Sequence, residues 1–295
     1  MNHIPVLKDE VIEYLDPKPN QNFVDCTFGF GGHTEAILEK IKPNGRVLGI
    51  EWDQDKIKYQ KSNIKNKGKI ILVNDSYVNL KDIVNRENFG PINGILLDVG
   101  ISSFEVESSG RGFSFQKDEP LDMRFDQEQN LTAREIVNEW NEEELARIFK
   151  EYGQERFAKN IARNIADVRS RQSIETTFQL VEIIRKSFPR SYKFGKAHFA
   201  TRAFQALRIA VNNELDNLKN VLPQALEVLE ENGRIAVIAF HSLEDAIVKK
   251  FFKEQAKDSK LKILTKKPIT PSFEETKLNP KARSAKLRVA QIINN

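Results

Sequence analysis

The chain has 295 residues, 40% apolar and 30% charged, with a mean hydropathy of −0.49. These values predict one large folded domain or two linked ones, and no apolar run approaches the roughly 20 residues that a membrane helix needs. The single cysteine, Cys26, excludes an internal disulfide and a cysteine-based metal site. Because the start lacks the pattern of a secretory signal, we expect a cytoplasmic protein without a membrane partner.

The net charge is only +4, but it is distributed unevenly. Lysine and arginine against aspartate and glutamate give a balance of −8 over residues 101–144, +9 over 145–208 and +9 over 246–295. Two basic segments in a nearly neutral chain indicate a phosphate-bearing partner. Solvated helix faces without any partner explain the same counts equally well.

The first hundred residues alternate short apolar segments with helix-like segments. The pattern predicts strands at 23–28, 46–52, 69–74 and 92–98, and helices at 33–41, 53–66 and 77–88. Apolar strands that do not alternate strictly and are separated by helices are typical of a parallel sheet covered on both faces.

The alternation stops after residue 101. Residues 102–126 have no clear period, and helix-like segments follow at 132–150, 154–168 and 173–187, the first opened by the capping box Thr132-Ala-Arg-Glu135. The alternation then resumes with helices at 201–229, interrupted or restarted near Pro223, and at 242–257, and with strands at 233–240, 260–265 and 284–293. Residues 266–282, with three prolines, are predicted to form a mobile loop.

The simplest architecture is an α/β fold with a Rossmann-like sheet and a mostly helical insertion. We assign residues 1–104 and 199–295 to the sheet domain and 105–198 to the inserted domain.

A glycine cluster follows the first predicted strand directly. Gly29, Gly31 and Gly32 stand between this strand and the next helix. Nucleotide-like ligands bind beyond the carboxyl ends of the strands in such sheets, at the switch point of the strand order. Glycines let the backbone approach a ligand closely, and the helix N-terminus offers free N–H donors. Alternatively, these glycines only form a tight turn.

Polar and aromatic residues follow the next three strands. Glu51 ends the second strand, where an acid can accept hydrogen bonds from ribose hydroxyls. Asp75 and Tyr77 follow the third strand, where they can bind the amino group and the face of an adenine. Asp98 ends the fourth strand, again at the ligand crevice.

The turn does not match a dinucleotide fingerprint. Thr34 stands where the third glycine should be, and Asp25 before the turn suits an ammonium group better than a phosphate. The predicted ligand is therefore adenosine joined to a zwitterion, which describes S-adenosyl-L-methionine.

Several longer motifs occur in register along the chain. They are His3-Ile-Pro-Val-Leu7, Asp25-x-Thr-x-Gly-x-Gly-Gly-His33, Gly94-Ile-Leu-Leu-Asp98-Val-Gly-Ile-Ser-Ser103, Arg111-Gly-Phe-Ser-Phe115, Pro120-Leu-Asp-Met-Arg124, Phe204-Gln-Ala-Leu-Arg-Ile209, Phe240-His-Ser-Leu-Glu-Asp245 and Asn279-Pro-Lys-Ala-Arg-Ser284. Together they resemble the bacterial RsmH (MraW) family over nearly the whole chain.

The resemblance implies a class I methyltransferase sheet and methyl transfer from S-adenosyl-L-methionine to the exocyclic N4 of cytidine 1402 in the decoding centre of 16S rRNA. It implies an acceptor within the small ribosomal subunit and leaves open whether the chain forms a homodimer. No metal is expected. The donor contacts that it implies are Gly31, Gly32, His33, Glu51, Tyr77, Asp98 and Glu105.

This sequence departs from the family pattern at three of these places. Many members have Asp in place of Glu51, which keeps the acceptor, and Phe in place of Tyr77, which keeps the stacking ring. The common Pro-x-Gln-Leu-Asp is here Phe-Glu-Val-Glu at 104–107, so Glu105 is the donor contact with the least support.

Two residues are candidates for assisting the transfer. Cytosine N4 is a poor nucleophile because its lone pair is delocalised, and an acceptor of the N4–H bond stabilises the developing cation. Asp98 is the first candidate because it ends the strand nearest the switch point. His241, which follows the strand at 233–240, is the second, as a general base. The alternative for His241 is a structural hydrogen bond that joins this strand to the next helix.

The basic segment before residue 208 is the predicted RNA surface. Arg156, Lys159 and Arg163 are spaced along one face of a predicted helix. Further cations and aromatics that can bind phosphates and unpaired bases are Arg169, Arg171, Arg190, Lys193 and Lys196, with Tyr192 and Phe194. Arg111-Gly-Phe-Ser-Phe115 either lines a pocket for a flipped cytidine or packs between the two domains.

Three other functions stay open. The chain is alternatively a methyltransferase for a protein or small molecule, a non-catalytic RNA-binding or assembly factor, or a nucleotide-dependent dehydrogenase. Thr34 argues against the dehydrogenase, and the carboxylates at the strand ends favour catalysis over binding alone.

Overall fold

The computed structural model describes residues 5–63, 68–189, 191–192, 195 and 198–293. Two compact units result: unit 1 joins Met1–Gly100 to Leu215–Asn295, and unit 2 is Ile101–Glu214. Unit 2 therefore begins earlier and ends later than the predicted insertion at 105–198. The later end has a physical reason, because the helix Thr201–Asn212 buries Phe204, Leu207 and Val211 in the core of unit 2.

Unit 1 is built on a sheet with seven strands among the described residues. The strands are β1 (Phe23–Asp25), β2 (Val47–Glu51), β3 (Ile70–Asn74), β4 (Ile92–Asp98), β5 (Leu229–Ala239), β6 (Leu261–Ile263) and β7 (Lys286–Ile292). Their spatial order is β3-β2-β1-β4-β5-β7-β6. The first five strands run parallel, and β7 is antiparallel to both of its neighbours. The predicted Rossmann-like α/β sheet with a mostly helical insertion is thus confirmed.

Both faces of this sheet are buried, as the apolar strands predict. Successive residues of β4 show it: Ile95 and Leu97 belong to one hydrophobic cluster, and Leu96 belongs to the other. All three side chains are fully buried. A strand covered on both faces has no polar positions to alternate with, which explains its continuous apolar run.

Helices of unit 1 pack on the two faces. They are α1 (Lys8–Leu15), α2 (Gly32–Ile41), α3 (Gln54–Asn63), α4 (Leu80–Arg86), α11 (Glu214–Val228) and α12 (Ser242–Lys257). A further helix, α13 (Phe273–Leu278), buries none of its residues. The α1 helix was not predicted, and α13 corrects the prediction of a loop at 266–282. Helix α13 begins at Ser272, whose hydroxyl accepts a hydrogen bond from the Glu275 N–H and caps the helix.

Unit 2 is helical and encloses its own hydrophobic core. Its helices are α5 (Ser103–Glu107), α6 (Ala133–Glu139), α7 (Glu142–Glu151), α8 (Ala158–Arg169), α9 (Thr177–Lys186) and α10 (Thr201–Asn212). The predicted capping box at Thr132 and Glu135 is present. A second capping box at Asn141 starts α7 and divides the predicted helix 132–150 in two.

The long helix predicted at 201–229 is also two helices, but the break does not lie at Pro223. Helix α10 ends at Asn213, which adopts a left-handed conformation with φ of 50°. Asparagine tolerates this conformation better than most residues and commonly ends helices. Pro223 lies inside α11. Nowhere in the described part of the chain is a helix both long and apolar enough to span a membrane.

Candidate active site

The glycine turn joins the end of β1 to the start of α2. Gly29 and Gly31 have φ values of 52° and 77°, in the left-handed region that glycine adopts more easily than residues with a side chain. The N–H of Gly29 donates to Oε2 of Glu51 at 3.0 Å, and its carbonyl accepts from the side-chain amide of Gln60 at 3.2 Å. The N–H and the carbonyl of Gly29 are therefore both bound, the first by the last residue of β2 and the second by a residue of α3.

Asp25 is 1% exposed and stabilises the same turn through two hydrogen bonds. Its Oδ1 accepts from the N–H of Thr27 at 3.2 Å, and its Oδ2 accepts from the hydroxyl of Thr34 at 2.7 Å. Burial raises the pKa of this carboxyl, and the nearby His33 and the Thr34 hydrogen bond oppose the rise. These contacts give Asp25 a structural task in the turn, and its predicted contact with an ammonium group stays a prediction.

Glu51 is the buried acid at the end of β2. Besides the bond from Gly29, it accepts from the N–H of Asp53 at 2.9 Å, and the Lys56 ammonium lies 3.7 Å away. The next residue, Trp52, lies with its ring centroid 5.7 Å from that of Tyr77 at an angle of 40°. Trp52 was not among the predicted site residues, although an aromatic residue next to an acid that is predicted to bind ribose itself indicates a nucleoside site.

Asp75 follows β3 and is engaged within its own loop. Its carboxylate accepts from the Ser76 N–H and the Asn79 amide, both at 2.8 Å, and from the Arg86 guanidinium at 3.2 Å. The predicted bond from Asp75 to an adenine amino group is untested.

Asp98, at the end of β4, faces His33 in the first turn of α2. The backbone N–H of Asp98 donates to the Thr27 hydroxyl at 2.7 Å, which ties β4 to the glycine turn. His33 Nε2 lies 3.7 Å from Asp98 Oδ2, within ion-pair distance but beyond hydrogen-bond range. Both ring nitrogens of His33 and Oδ1 of Asp98 are buried without a hydrogen-bond partner among the described residues. Buried polar atoms are normally paired, so these three need an explanation.

The strand order explains why these residues meet. Strand β1 lies between β2 and β4, so the strand order reverses its direction there. Because these strands are parallel, their carboxyl ends lie on the same side of the sheet. Asp25, Glu51 and Asp98 end three neighbouring strands there. The sequence predicted this for Glu51 and Asp98, whereas the first strand was predicted over 23–28 and ends earlier, at Asp25. The reversal marks the switch point at which open α/β sheets bind ligands.

Glu105 and His241 have different surroundings. Glu105 is buried in α5 of unit 2 and accepts a hydrogen bond from the Ser102 hydroxyl. His241 is the N-cap of α12: its Nδ1 accepts from the Glu244 N–H at 3.4 Å, and the Glu244 carboxylate accepts from the His241 N–H at 3.1 Å. His241 Nε2 lies 2.9 Å from the Glu244 carboxylate but, like the His33 nitrogens, is buried without a hydrogen-bond partner among the described residues. These contacts match the structural alternative for His241.

The predicted RNA surface lies partly on α8. Lys159 and Arg163 are exposed one turn apart on that helix, but Arg156 precedes it, so the predicted three-residue face is wrong at this position. Helix α8 begins only at Ala158 because Glu155 turns inward and accepts from the Phe157 N–H. Arg171 is exposed, and Arg169 donates to the Val137 carbonyl at 2.9 Å. Arg190, Lys193, Phe194 and Lys196 lie outside the described residues.

The segment Arg111–Phe115 packs within unit 2. The Phe113 ring stacks on Phe125 at 5.4 Å, and the Phe115 ring stacks on His198 at 4.4 Å. The buried Arg111 guanidinium donates to the Phe125 carbonyl at 3.2 Å. The segment thus packs inside one unit, and these contacts test neither the pocket for a flipped cytidine nor packing between the two domains.

A comparison with protein families distinguishes between the methyltransferase and the dehydrogenase that the sequence left open. Residues 1–293 match the model of the MraW methylase family. The chain belongs to that family. Membership confirms the identification made from the sequence motifs and agrees with S-adenosyl-L-methionine as the methyl donor.

Curated relatives extend over the same length. A protein of Thermosipho melanesiensis named ribosomal RNA small subunit methyltransferase H is 49% identical, covering 99% of this chain and 98% of the relative. One of Clostridium botulinum with the same name is 43% identical, covering 99% of each. Among solved structures, an rRNA methylase from Streptococcus thermophilus aligns with 97% of this chain and 94% of its own, at 11% identity and a TM-score of 0.44.

Proposed function

We propose that this chain transfers a methyl group from S-adenosyl-L-methionine to the exocyclic N4 of a cytidine in the 16S rRNA of the small ribosomal subunit. The names of its relatives support the rRNA acceptor, and the RsmH motifs support the N4 position. The observation that carries the proposal is the group of buried, unpaired polar atoms of Asp98 and His33 beside the glycine turn.

The residues around the turn fit this donor. The first turn of α2, with Gly32 and His33, presents backbone N–H groups to the donor carboxylate, while the Gly31 N–H donates to the Phe28 carbonyl within the turn. Glu51 accepts from the ribose hydroxyls, and the half-buried Trp52, which packs against the buried Tyr77, offers a ring face to the adenine. Asp25 and Gly29 hold the turn in shape. Bound S-adenosyl-L-methionine supplies an electrophilic methyl group on its sulfonium.

Asp98 acts on the acceptor nitrogen. Its Oδ1 accepts an N4–H bond, which returns electron density to N4 and stabilises the positive charge that develops there. As the bond between N4 and the methyl carbon forms, the bond from that carbon to the donor sulfur would break, the sulfur would leave as a neutral thioether, and the Asp98 carboxylate would accept the proton that N4 loses. His33 faces the other oxygen of the same carboxylate and orients it. Alignment of N4 with the methyl group by these fixed side chains supplies the entropic part of the acceleration.

We also propose that unit 2 recognises the RNA. Exposed Lys159, Arg163 and Arg171 offer charges for phosphates, and the partly exposed Tyr192 ring, which packs on Phe157 and Phe188, offers a face for an unpaired base. A target cytidine has to leave its stack to reach a methyl donor, so base flipping belongs to the mechanism.

The test is a transfer assay with labelled donor and separate acceptors: small ribosomal subunits, free 16S rRNA, DNA and total protein. We expect label in rRNA only, recovered by mass spectrometry of nucleosides as N4-methylcytidine. Label in protein or in another nucleoside contradicts the proposal. A non-catalytic binding factor retains RNA but transfers no label.

Replacement of Asp98 tests the catalytic assignment. Asp98→Asn keeps the size of the side chain but places an amide where a carboxylate accepts the N4–H bond. We expect the rate constant for transfer at saturating donor and RNA to fall by about 10²–10³. The exposed Asp82→Asn on α4 is the matched control and should transfer at the normal rate. Normal turnover by folded Asp98→Asn removes Asp98 from the mechanism.

A further inference from the structure

A groove of about 500 Å³ lies in unit 1 between α12 and the edge strand β6. Five cationic side chains contribute to its lining: Lys249, Lys253, Lys262, Lys266 and Arg288. Every charged residue that lines it among the described residues is positive. The groove belongs to the second basic segment, 246–295, which the proposed function leaves unused.

Four of these five cations, the lysines, have no carboxylate partner among the described residues. Arg288 is buried and paired with Asp245 at 2.6 Å, but the four lysines form no ion pair with any residue that the structure describes, and all four are exposed. Lys249 and Lys253 are one turn apart on α12 and share a face. Lys262 and Lys266 lie on and after β6. Unpaired positive charge therefore borders the groove on two sides.

The groove is separate from the donor site. The sheet order places β6 at its end, and β4, β5 and β7 intervene between β6 and β1, which carries the glycine turn. A ligand held at β6 therefore does not contact the residues that close β1, β2 and β4.

The floor of the groove is apolar and partly accessible. Phe252 and Leu261 are each only 1% exposed, but Ile263 is half-buried and Ile293 is 37% exposed. The charge around this floor is positive at every charged lining residue that the structure describes. The partner that this charge attracts most strongly is a polyanion, and its apolar parts can rest on the floor. Lysine is a common ligand for phosphate as a point charge.

We propose that this groove is a second RNA-contact surface, which binds the phosphate backbone of the acceptor RNA through Lys249, Lys253, Lys262 and Lys266. The choice of RNA over another polyanion rests on the proposed function. Each phosphate contact releases counterions, so the surface adds affinity without reading sequence.

The salt dependence of RNA binding tests this surface. The full chain is titrated with a fluorescently labelled single-stranded RNA oligonucleotide at several salt concentrations. Each phosphate contact contributes about 0.7 to the slope of log K against log salt for single strands. Lys249→Gln/Lys253→Gln and Lys262→Gln/Lys266→Gln should therefore each lower the slope by about 1.4. The matched control is Lys250→Gln/Lys257→Gln, which removes two charges from the same helix outside the groove and should keep the slope.

The outcomes separate this proposal from the proposed function. If both groove variants bind RNA with the slope of the control, the groove is not an RNA surface, whatever the methyl transfer. If polyglutamate displaces the RNA as well as unlabelled RNA does, the surface serves an acidic protein and the proposal is wrong. If the wild-type chain binds RNA with the expected slopes but methylates no rRNA, the proposed function fails and the groove assignment stands.

Discussion

A buried carboxylate, Asp25, and a half-buried one, Asp122, respond to pH in opposite ways. Burial raises the pKa of Asp25, and no cation lies within ion-pair distance of it among the described residues. Its ionised form is therefore less favourable folded than unfolded, and its contribution to stability falls as pH rises through the raised pKa. Asp122 behaves in the opposite way, because two hydrogen bonds from the Arg124 guanidinium, both at 2.8 Å, hold it ionised.

Asp122 gives a prediction with a defined pH sign. Burial alone would raise the pKa of this carboxyl, but the Arg124 hydrogen bonds and charge lower it below its usual 3.8. Its stabilisation is thus present above pH 3.8 and lost as pH falls through the lowered pKa. Asp122→Asn should lower the free energy of unfolding by about 1–3 kcal/mol near neutral pH.

Denaturant unfolding from neutral pH down to acid measures this effect. The difference between Asp122→Asn and wild type should shrink once the pH falls below 3.8. The exposed Asp167→Asn on α8 serves as control and should unfold like wild type at each pH. A pH-independent loss in Asp122→Asn would mean that the Arg124 pair contributes through packing and not through charge.

At the scale of elements, the start of α12 separates the two interpretations of His241. The imidazole and Glu244 form a capping box there. Asparagine is among the best N-cap residues, while alanine is poor. We predict that His241→Asn keeps the stability and the transfer rate, and that His241→Ala loses about 1 kcal/mol of unfolding free energy.

Thermal unfolding and the pH profile of transfer check this prediction together. A capping role leaves the pH profile of His241→Asn unchanged. If His241→Asn folds normally but transfers slowly, and its transfer rate no longer depends on pH as that of the wild type does, His241 is the general base after all.

The predictable elements were those with a strong burial pattern. The strands around Asp25, Glu51 and Asp98 were identified because their residues are continuously apolar and lead into polar ends. Short helices such as α1 and α13 were missed because eight or fewer residues carry too little periodicity. The break at Asn213 was misplaced to Pro223, since a proline inside a pattern is the stronger local signal than a left-handed asparagine.

At the scale of the whole molecule, much of the candidate site was accessible from sequence. The parallel register brings the ends of neighbouring strands together, so the grouping of Asp25, Glu51 and Asp98 follows from topology alone. The partners of these carboxylates do not follow, because they depend on side-chain rotamers. Hence the bond from Gly29 to Glu51 and the facing of His33 and Asp98 were not foreseen.

Binding of the donor should stabilise the whole protein. A ligand that binds only the folded state at about 100 times its Kd raises the free energy of unfolding by about 2.7 kcal/mol. We expect S-adenosyl-L-methionine to raise the melting temperature, and NAD to leave it unchanged because Thr34 breaks the dinucleotide fingerprint. Stabilisation by NAD instead would favour the dehydrogenase alternative.

Because unit 1 consists of two chain segments, its sheet is completed only after the residues between them have been synthesised. During synthesis, β1 to β4 leave the ribosome first, and about 130 further residues have to follow Asp98 before β5 begins at Leu229 and can pair with β4. At about 5–20 residues per second this interval lasts roughly 6–26 seconds. Throughout it, β4 has an unpaired edge and apolar faces that attract other strands. We therefore expect the nascent chain to be most prone to aggregation in the interval before β5 pairs with β4.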